Sequence, residues 1–555
     1  MAFEDQKRNM TQAQIVVKQN FPVSWRSRGR RRRRIRFIAL VVIPLAVLVG
    51  AVGYELYTSQ LQAWGFSRIS SAATYHMEPD ASPSIRFPSE GPYNQRAGYT
   101  RLVDFIERLT ARGYSVVGQA RNSSRSLWLI DQGFFPPYPE KSQMGLRVLD
   151  RRGDEVFNGA YPKRVYEAFK DIPSLIALTL LYIENRELLE DAVPTRNPAI
   201  EWDRLVKAGI DYGINKVYSG WRVTGGSTLA TQIEKFRHSP DGRTSTPKDK
   251  VKQMISASLR AYHNGESTVK AREGIVLDYM NAIPLAAVPG YGEVSGLGDA
   301  LWFWYGADFD SVNTLLSQPP ADVISQNPRE WARAYRQVLS LFIAQRAPST
   351  YLLSKPEALK GQTDHYIRMM TDDEILTPQT RDLLFQTSVL PKRQAPKPEP
   401  YAFTERKAIN AVRTHLMRQL GMDRLYELDR LDIEVKSSLD REVQQRVVDV
   451  LNRLDDPAFA ASAGLLGSRL LNADDLNNVI YSLTLYERGK DANWLRIQAD
   501  NLDQPLDINE GAKLELGSTA KLRTLVSYLE IISFLPLCNH CICLVVCQTR
   551  NTFTN

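Results

Sequence analysis

DIPSLIALTLLYIENRELLE, residues 171–190, is the stretch on which the fold turns. Asp171 stands near a helix cap, and Pro173 fits a first turn, where its missing N–H costs nothing. Leu175, Ile176, Ala177, Leu178, Leu180, Leu181 and Ile183 then leave almost no polar face, so the predicted helix is buried. It delivers Glu184 at its far end. A carboxylate emerging from an apolar helix is partly desolvated, which raises its pKa and makes it a better proton acceptor than a hydrated one. A surface Glu at a helix end is the simpler alternative. Residues 160–345 as a whole follow helical periodicity, which predicts a mainly α domain around this helix.

About forty residues on comes GWRVTGGSTLATQIEKF, residues 220–236. Gly225 and Gly226 allow a tight turn with close backbone approach, Ser227 and Thr228 offer hydroxyls and N–H donors at a helix start, and Gln232 and Lys235 follow on that helix. The combination suits an anionic, oxygen-rich ligand such as a pyrophosphate. It is not a P-loop, because G-x-x-x-x-G-K-[ST] is absent, and Gly-Gly-Ser-Thr by itself is also an ordinary turn. Thr246-Pro247 opens a further helix whose small or apolar positions Val251, Met254, Ile255, Ser258, Leu259 and Tyr262 keep helical spacing. Another carries Ile275, Val276, Tyr279 and Met280 and ends at Asn281.

This order of features resembles glycosyltransferase family 51, the peptidoglycan polymerase domain of class A penicillin-binding proteins, over roughly residues 160–310. Glu184-Asn185-Arg186 stands where the family has E-D-x-x-F-x-x-H. Gly225, Gly226, Ser227, Thr228, Gln232 and Lys235 resemble its G-G-S-T-x-x-Q-Q-x-x-K segment, and Tyr279-Met280-Asn281 its Y-L-N. Pro289-Gly290-Tyr291-Gly292 and Trp304-Tyr305-Gly306 are similar to its G-x-x-G-Y-G and Y-F-G elements. The resemblance implies a lysozyme-like helical fold in which Glu184 deprotonates the sugar 4-hydroxyl of one lipid II while a polyprenyl pyrophosphate leaves, with inversion. It gives Lys235, with Arg243, the charge on the departing pyrophosphate, and gives Gly226, Ser227, Thr228, Gln232 and Asn281 the positioning of substrate. Lipid II, nascent glycan strands, the membrane and other cell-wall synthesis proteins are the implied partners. No cofactor is required. A divalent metal, Mg or Mn, is compatible with the reaction, but the family's second acidic residue falls on Gln253, whose amide cannot hold a cation as a carboxylate does. Glu234, Glu266 and Glu273 are the acids that could substitute for it in space.

Outward from this domain, charge separates the chain. Residues 1–36 hold eleven Lys or Arg against Glu4 and Asp5, a local net of +9, which leaves −1 for the other 519 of the 555 residues, the total being +8. An excess confined to one tail argues against a basic nucleic-acid groove in the folded part. Phe37 to Tyr54 runs eighteen residues without a charge and reads as a transmembrane helix, kinked at Pro44. The arginines before it place the tail in the cytoplasm and the remainder in the periplasm, a single-pass protein of the bacterial inner membrane. A cleaved signal peptide is the alternative. Pro79, Pro83, Pro88 and Pro92 mark residues 70–95 as an extended stalk. The aromatic run Trp302 to Tyr305 reads as core, with a membrane-facing rim as the other reading.

The C-terminal part resembles the opening of a penicillin-binding transpeptidase, an α/β domain. IEVKSSLDREVQQRVVDVLNRL begins at Ile433, and LELGSTAKL carries S-x-x-K as Ser518 and Lys521, one helical turn apart. No S-x-N or K-T-G follows within the remaining 34 residues, so this domain reads as a truncated remnant. Cys538, Cys541, Cys543 and Cys547 all fall in the last 18 residues, whose composition suits an aberrant or frame-shifted end, a metal knot being the alternative. The expected organisation is therefore a basic tail (1–36), a membrane helix (37–57), a stalk with a small α/β segment (58–155), the glycosyltransferase domain (156–345), a helical and Pro-rich linker (346–430), an incomplete transpeptidase domain (431–532) and a Cys-rich tail (533–555). A degenerate envelope scaffold and a truncated bifunctional penicillin-binding protein are the rival readings.

Overall fold

The computed structural model describes residues 43–202, 227–318, 326–393, 403–504, 506–511 and 517–534 with a few single positions besides. The chain divides into two units, one of residues 1–95, 115–142 and 162–395, the other of residues 96–114, 143–161 and 396–555. The expected small α/β segment is thus not one body: its strands and helices are shared between the two units. The basic tail, Gly225, Gly226, the Pro-rich link 394–402 and the cysteines lie outside the described residues.

The first unit is mostly helical, as its periodicity predicts. Helix Ser174–Glu184 lies at its centre, with Ile176 and Leu180 fully buried. Helix Pro328–Ala344 packs on it through Trp331, Tyr335, Val338 and Phe342, all at 0% exposure, and Thr179 Oγ1 meets the Tyr335 hydroxyl at 3.1 Å. Helices Pro356–Asp372 and Pro378–Gln386 belong to the same core through Ile367, Met370 and Leu384. Residues expected as linker after 345 are therefore part of this core, because each of these helices has an apolar stripe that packs on the Pro328–Ala344 helix and on the other. Thr246 caps helix Pro247–Ala261 by accepting from Asp249 N, with Pro247 in the first turn, as the sequence predicts. The aromatic run is core: Phe303 and Trp304 are buried, and Trp304 Nε1 donates to Leu285 O at 2.9 Å.

At the N-terminal side, helix Ile43–Thr58 is sixteen residues long and buries none of them. Among the described residues no helix is long and apolar enough to cross a membrane. Residues 37–39, 41 and 42 of the expected span lie outside the described residues. The Glu55 carboxylate accepts from Leu61 N and Gln62 N at 2.8 and 3.1 Å, which satisfies the first free N–H groups of the next helix, Gln60–Ser71. The Pro-rich stretch is not a bare stalk: Tyr75–Pro79 pairs antiparallel with Gly118–Asn122, and Pro92–Ala97 is helical.

In the second unit, strand Arg147–Leu149 pairs antiparallel with Glu155–Asn158 and parallel with Glu434–Lys436. Phe105, Leu146, Val148, Leu420 and Leu428 close a small core under that sheet. Helix Arg441–Asn452, capped by Asp440, packs on the hairpin Ser482–Arg488 and Asn493–Asp500. Helix Ala520–Phe534 follows with Leu522, Leu525, Val526, Tyr528, Leu529, Ile531 and Ile532 all exposed.

Candidate active site

Glu184 closes the buried helix with its side chain only 10% exposed. Its Oε2 accepts a hydrogen bond from Gln232 Nε2 at 2.9 Å and its Oε1 from Gln345 Nε2 at 2.8 Å, and Arg346 Nη2 stands 3.7 Å from Oε1. Two neutral amides fix the carboxylate without neutralising it, and each oxygen keeps a second lone pair for a substrate proton. Gln232 is itself held, its Oε1 accepting from the Tyr279 hydroxyl at 3.3 Å. Burial, with Glu184 adding to it, pushes the Tyr279 phenol well above its ordinary range, so it stays a donor.

Gln232 owes its position to the turn before it. Thr228 Oγ1 accepts from Thr231 N at 3.3 Å while Thr231 Oγ1 accepts from Thr228 N at 3.0 Å, a reciprocal cap that starts helix Leu229–His238. At 3.6 residues per turn, Thr231, Gln232 and Lys235 then share one face of this helix, and Ala230, Ile233, Glu234 and Arg237 the other. The Thr228 hydroxyl expected to meet substrate is 1% exposed and serves the cap.

Ser227 Oγ accepts from Lys250 Nζ at 2.6 Å. Burial, reinforced by the nearby Lys235 ammonium, pushes Lys250 down to about 8. Burial also lowers Lys235, against the opposing pull of Glu184. Neither ammonium has an ion pair among the described residues, so Lys250, beside Ser227, and Lys235 are two desolvated cations that repel each other. An anion placed there would relieve both the repulsion and the desolvation. The arrangement suits an anion, and Lys250 is a member of it that the sequence did not single out.

The remaining expected site residues divide. Gly226 lies outside the described residues. Arg243 is exposed beyond the turn Pro240–Gly242 and takes no part in the Glu184 contacts. Asn281 is a correction: it is 2% exposed, its Oδ1 accepts from Tyr166 N at 2.9 Å and its Nδ2 donates to Tyr166 O at 2.8 Å, so it pins a loop from within the core. In the second unit Ser518 and Lys521 are both exposed, and no hydrogen bond joins them.

Gln253 is 1% exposed, donating to Ser239 Oγ at 2.8 Å and to Thr244 Oγ1 at 3.0 Å, with its Oε1 facing the Thr244 hydroxyl at 3.1 Å. Both ends of the amide tie the segment after the Gln232 helix. The acids named as replacements do not take its place: Glu234 binds Arg260 Nε at 2.7 Å on the opposite helix face, Glu266 is exposed and Glu273 half-exposed. Among the described residues no group of three or more His, Cys, Asp or Glu could hold a metal ion. These residues do not fit a divalent cation, and no step is routed through one.

Sequence reasoning missed Gln345 and Arg346, which reach Glu184 from 161 and 162 positions away and lie where the domain was expected to end. It also missed Lys250, though the run Lys250-Val251-Lys252 put a cation one turn after a predicted cap.

A comparison with curated proteins found no match. Residues 153–371 match the family model described as Transglycosylase, a span that contains Glu184, Gln232, Lys235, Lys250, Gln345 and Arg346. Over that span the chain is similar to a transglycosylase domain, the glycosyltransferase family 51 domain of class A penicillin-binding proteins.

Proposed function

We propose that the chain is a membrane-anchored peptidoglycan glycosyltransferase that polymerises lipid II into glycan strands, with inversion at the anomeric carbon and a polyprenyl pyrophosphate as leaving group. The observation that carries this reading is that Glu184, held by two amides, is bonded to Gln232 on the helix face that also carries Lys235, while Lys250 reaches Thr231 on that face from the next helix. Glu184 takes the proton of the acceptor 4-hydroxyl as that oxygen attacks the anomeric carbon. The bond to the pyrophosphate oxygen breaks, and the released negative charge falls to Lys235 and Lys250, where preorganised cations stabilise it most. Ser227 orients the Lys250 ammonium. Gln232, Gln345 and Arg346 keep the carboxylate aimed. A substrate that stays in the bilayer favours an enzyme that stays there too, which is the role proposed for residues 37–57, with the tail cytoplasmic and the catalytic domain periplasmic.

The test is polymerisation of lipid II by the purified full chain in lipid. Glycan polymer from the wild type, and none from Glu184→Gln with unchanged circular dichroism, is the expected result. No polymer from the wild type, under conditions where a known polymerase makes it, overturns the reading in favour of the envelope scaffold, which Gln253 favours. Equal activity of the Gln variant removes Glu184 from the reaction.

A further inference from the structure

Helices Leu229–His238 and Pro247–Ala261 pack together although both carry an excess of positive charge. The first has Lys235 and Arg237 against Glu234, and the second has Lys248, Lys250, Lys252 and Arg260 against Asp249. On one side of the pair stand Lys235 and Lys250, whose ammoniums repel each other. In a partly buried setting such helices need counter-charge between them to keep their spacing. Glu234 supplies some of it by accepting from Arg260 Nε at 2.7 Å.

The rest comes from outside both helices. Phe134-Phe135-Pro136-Pro137-Tyr138-Pro139-Glu140 runs over the face opposite Lys235, and its prolines fix φ along much of that strap. Glu140, at its end, has a side chain only 2% exposed. Arg237 Nη1 lies 2.9 Å from its carboxylate, Arg260 Nη2 3.0 Å and His238 Nε2 2.7 Å. One carboxylate thus bonds an arginine of each helix at once. Burial alone would raise that carboxyl, but Arg260, His238 and Arg237 hold it well below the usual range, so it stays charged.

The same strap bridges the two helices a second time. The Phe135 ring lies 4.8 Å from the ring of His238 on the first helix, while Lys252 Nζ of the second stands 4.5 Å over it. Phe135 N donates to Ser256 Oγ at 3.0 Å, again on the second helix. Arg260 closes the contact by donating to the carbonyl oxygens of Tyr138 and Pro136 at 2.6 and 3.2 Å. All of this strap lies outside residues 153–371, the span matched to the transglycosylase model.

We propose that Glu140 is a positioning residue for glycosyl transfer: by bonding Arg237 and Arg260 together it sets the spacing of Lys235 and Lys250 on the far side of the same two helices, and with it their hold on the leaving pyrophosphate. The inference rests on the reading of Lys235 and Lys250 as the anion site.

Calorimetric titration of the full chain with inorganic pyrophosphate, at a series of pH values between about 7 and 10.4, tests it. The ionisation of the probe is common to all variants and cancels in the comparison. Wild-type affinity should begin to fall as pH passes about 8, where Lys250 gives up its proton. Glu140→Gln keeps the size of the side chain and removes its charge. Helices that part give Lys250 more water and less of Lys235, and both changes raise its pKa toward the ordinary lysine value near 10.4. Pyrophosphate should then bind severalfold more weakly at pH 7, and the alkaline fall should start at higher pH. Removing a negative charge without moving the helices would shift the fall the other way, because a nearby carboxylate favours the charged ammonium.

Arg260→Lys keeps the charge, but a single ammonium cannot replace the planar fork that meets Glu140, Glu234 and two carbonyls. It should give the same upward shift, and it carries the test if the Gln variant does not fold. Asp364→Asn breaks another buried pair of the same unit, with Arg336 at 2.7 Å, and should lower Tm while leaving the fall at about pH 8. A fall that stays in place or moves down in folded Glu140→Gln, stays in place in Arg260→Lys, or moves up equally in Asp364→Asn overturns the proposal and leaves the anion site standing. A wild-type chain that binds no pyrophosphate overturns the anion site itself, and the proposal with it.

Discussion

Helix Ser174–Glu184 and helix Ala520–Phe534 are both apolar in sequence, and each adjoins a residue of the type used in catalysis. The first has seven buried residues and ends on a carboxylate that two amides and an arginine surround. The second begins beside Ser518 and is exposed along its length, and among the described residues Lys521 has no hydrogen bond or ion pair. The lesson is that an apolar run specifies a helix, while its neighbours decide whether the residue at its end becomes a site. The Glu184 carboxylate is held from two other segments, by Gln232 and by Gln345 with Arg346; nothing in the described residues holds Ser518.

The comparison is tested most severely by removing each residue. Glu184→Gln should lower glycan polymerisation by about 10²–10⁴-fold, the usual worth of a positioned general base, while Ser518→Ala should leave it unchanged. Fluorescent penicillin should leave the wild-type chain unlabelled on a denaturing gel, because acylation needs a nucleophile with its amine and oxyanion donors in place. A band that vanished in Ser518→Ala would show that an acylation site assembles on the exposed helix, and the contrast would fail.

The next test is of stability. Leu180, at 0% exposure in the first helix, should cost about 2–5 kcal/mol when changed to Ala. Leu525, 51% exposed in the second, should change stability by no more than about 0.5 kcal/mol on the same substitution. Chemical denaturation reads both. A large loss at Leu525 would mean that the second helix packs against something in solution.

Much of the first helix was legible, because its burial follows from composition alone and its end fixes Glu184. The cap at Thr246 was legible for the same local reason. Gln345 was not, since a side chain arriving from 161 residues away leaves no periodicity near Glu184. Asn281 misled because a buried amide that bridges Tyr166 N and O looks in sequence like any polar residue at a helix end. The domain boundary near 345 was misplaced because the helices beyond it carry ordinary amphipathic stripes, and a stripe does not say which core it covers.

The smallest expected effect concerns pH, and it sharpens what distinguishes a held residue from an exposed one. Lys250 is brought down to about 8 by burial first and by Lys235 second, whereas an unfolded lysine titrates near 10.4. As pH rises through 8 the folded chain loses this charge, so attraction for the pyrophosphate weakens and kcat/KM for lipid II should fall severalfold between about pH 7 and 9.5, at most about tenfold per unit for one proton. Stability moves the other way. Between about 8 and 10.4 the unfolded chain binds the proton that the folded chain has released, so the contribution of this group to stability rises with pH over that window. Arginine stays charged beyond pH 12, so Lys250→Arg should keep activity at pH 7 within a small factor and flatten the alkaline fall. An alkaline fall that persists unchanged in Lys250→Arg would assign it to another group, and Lys250 would then have no part in holding the leaving anion.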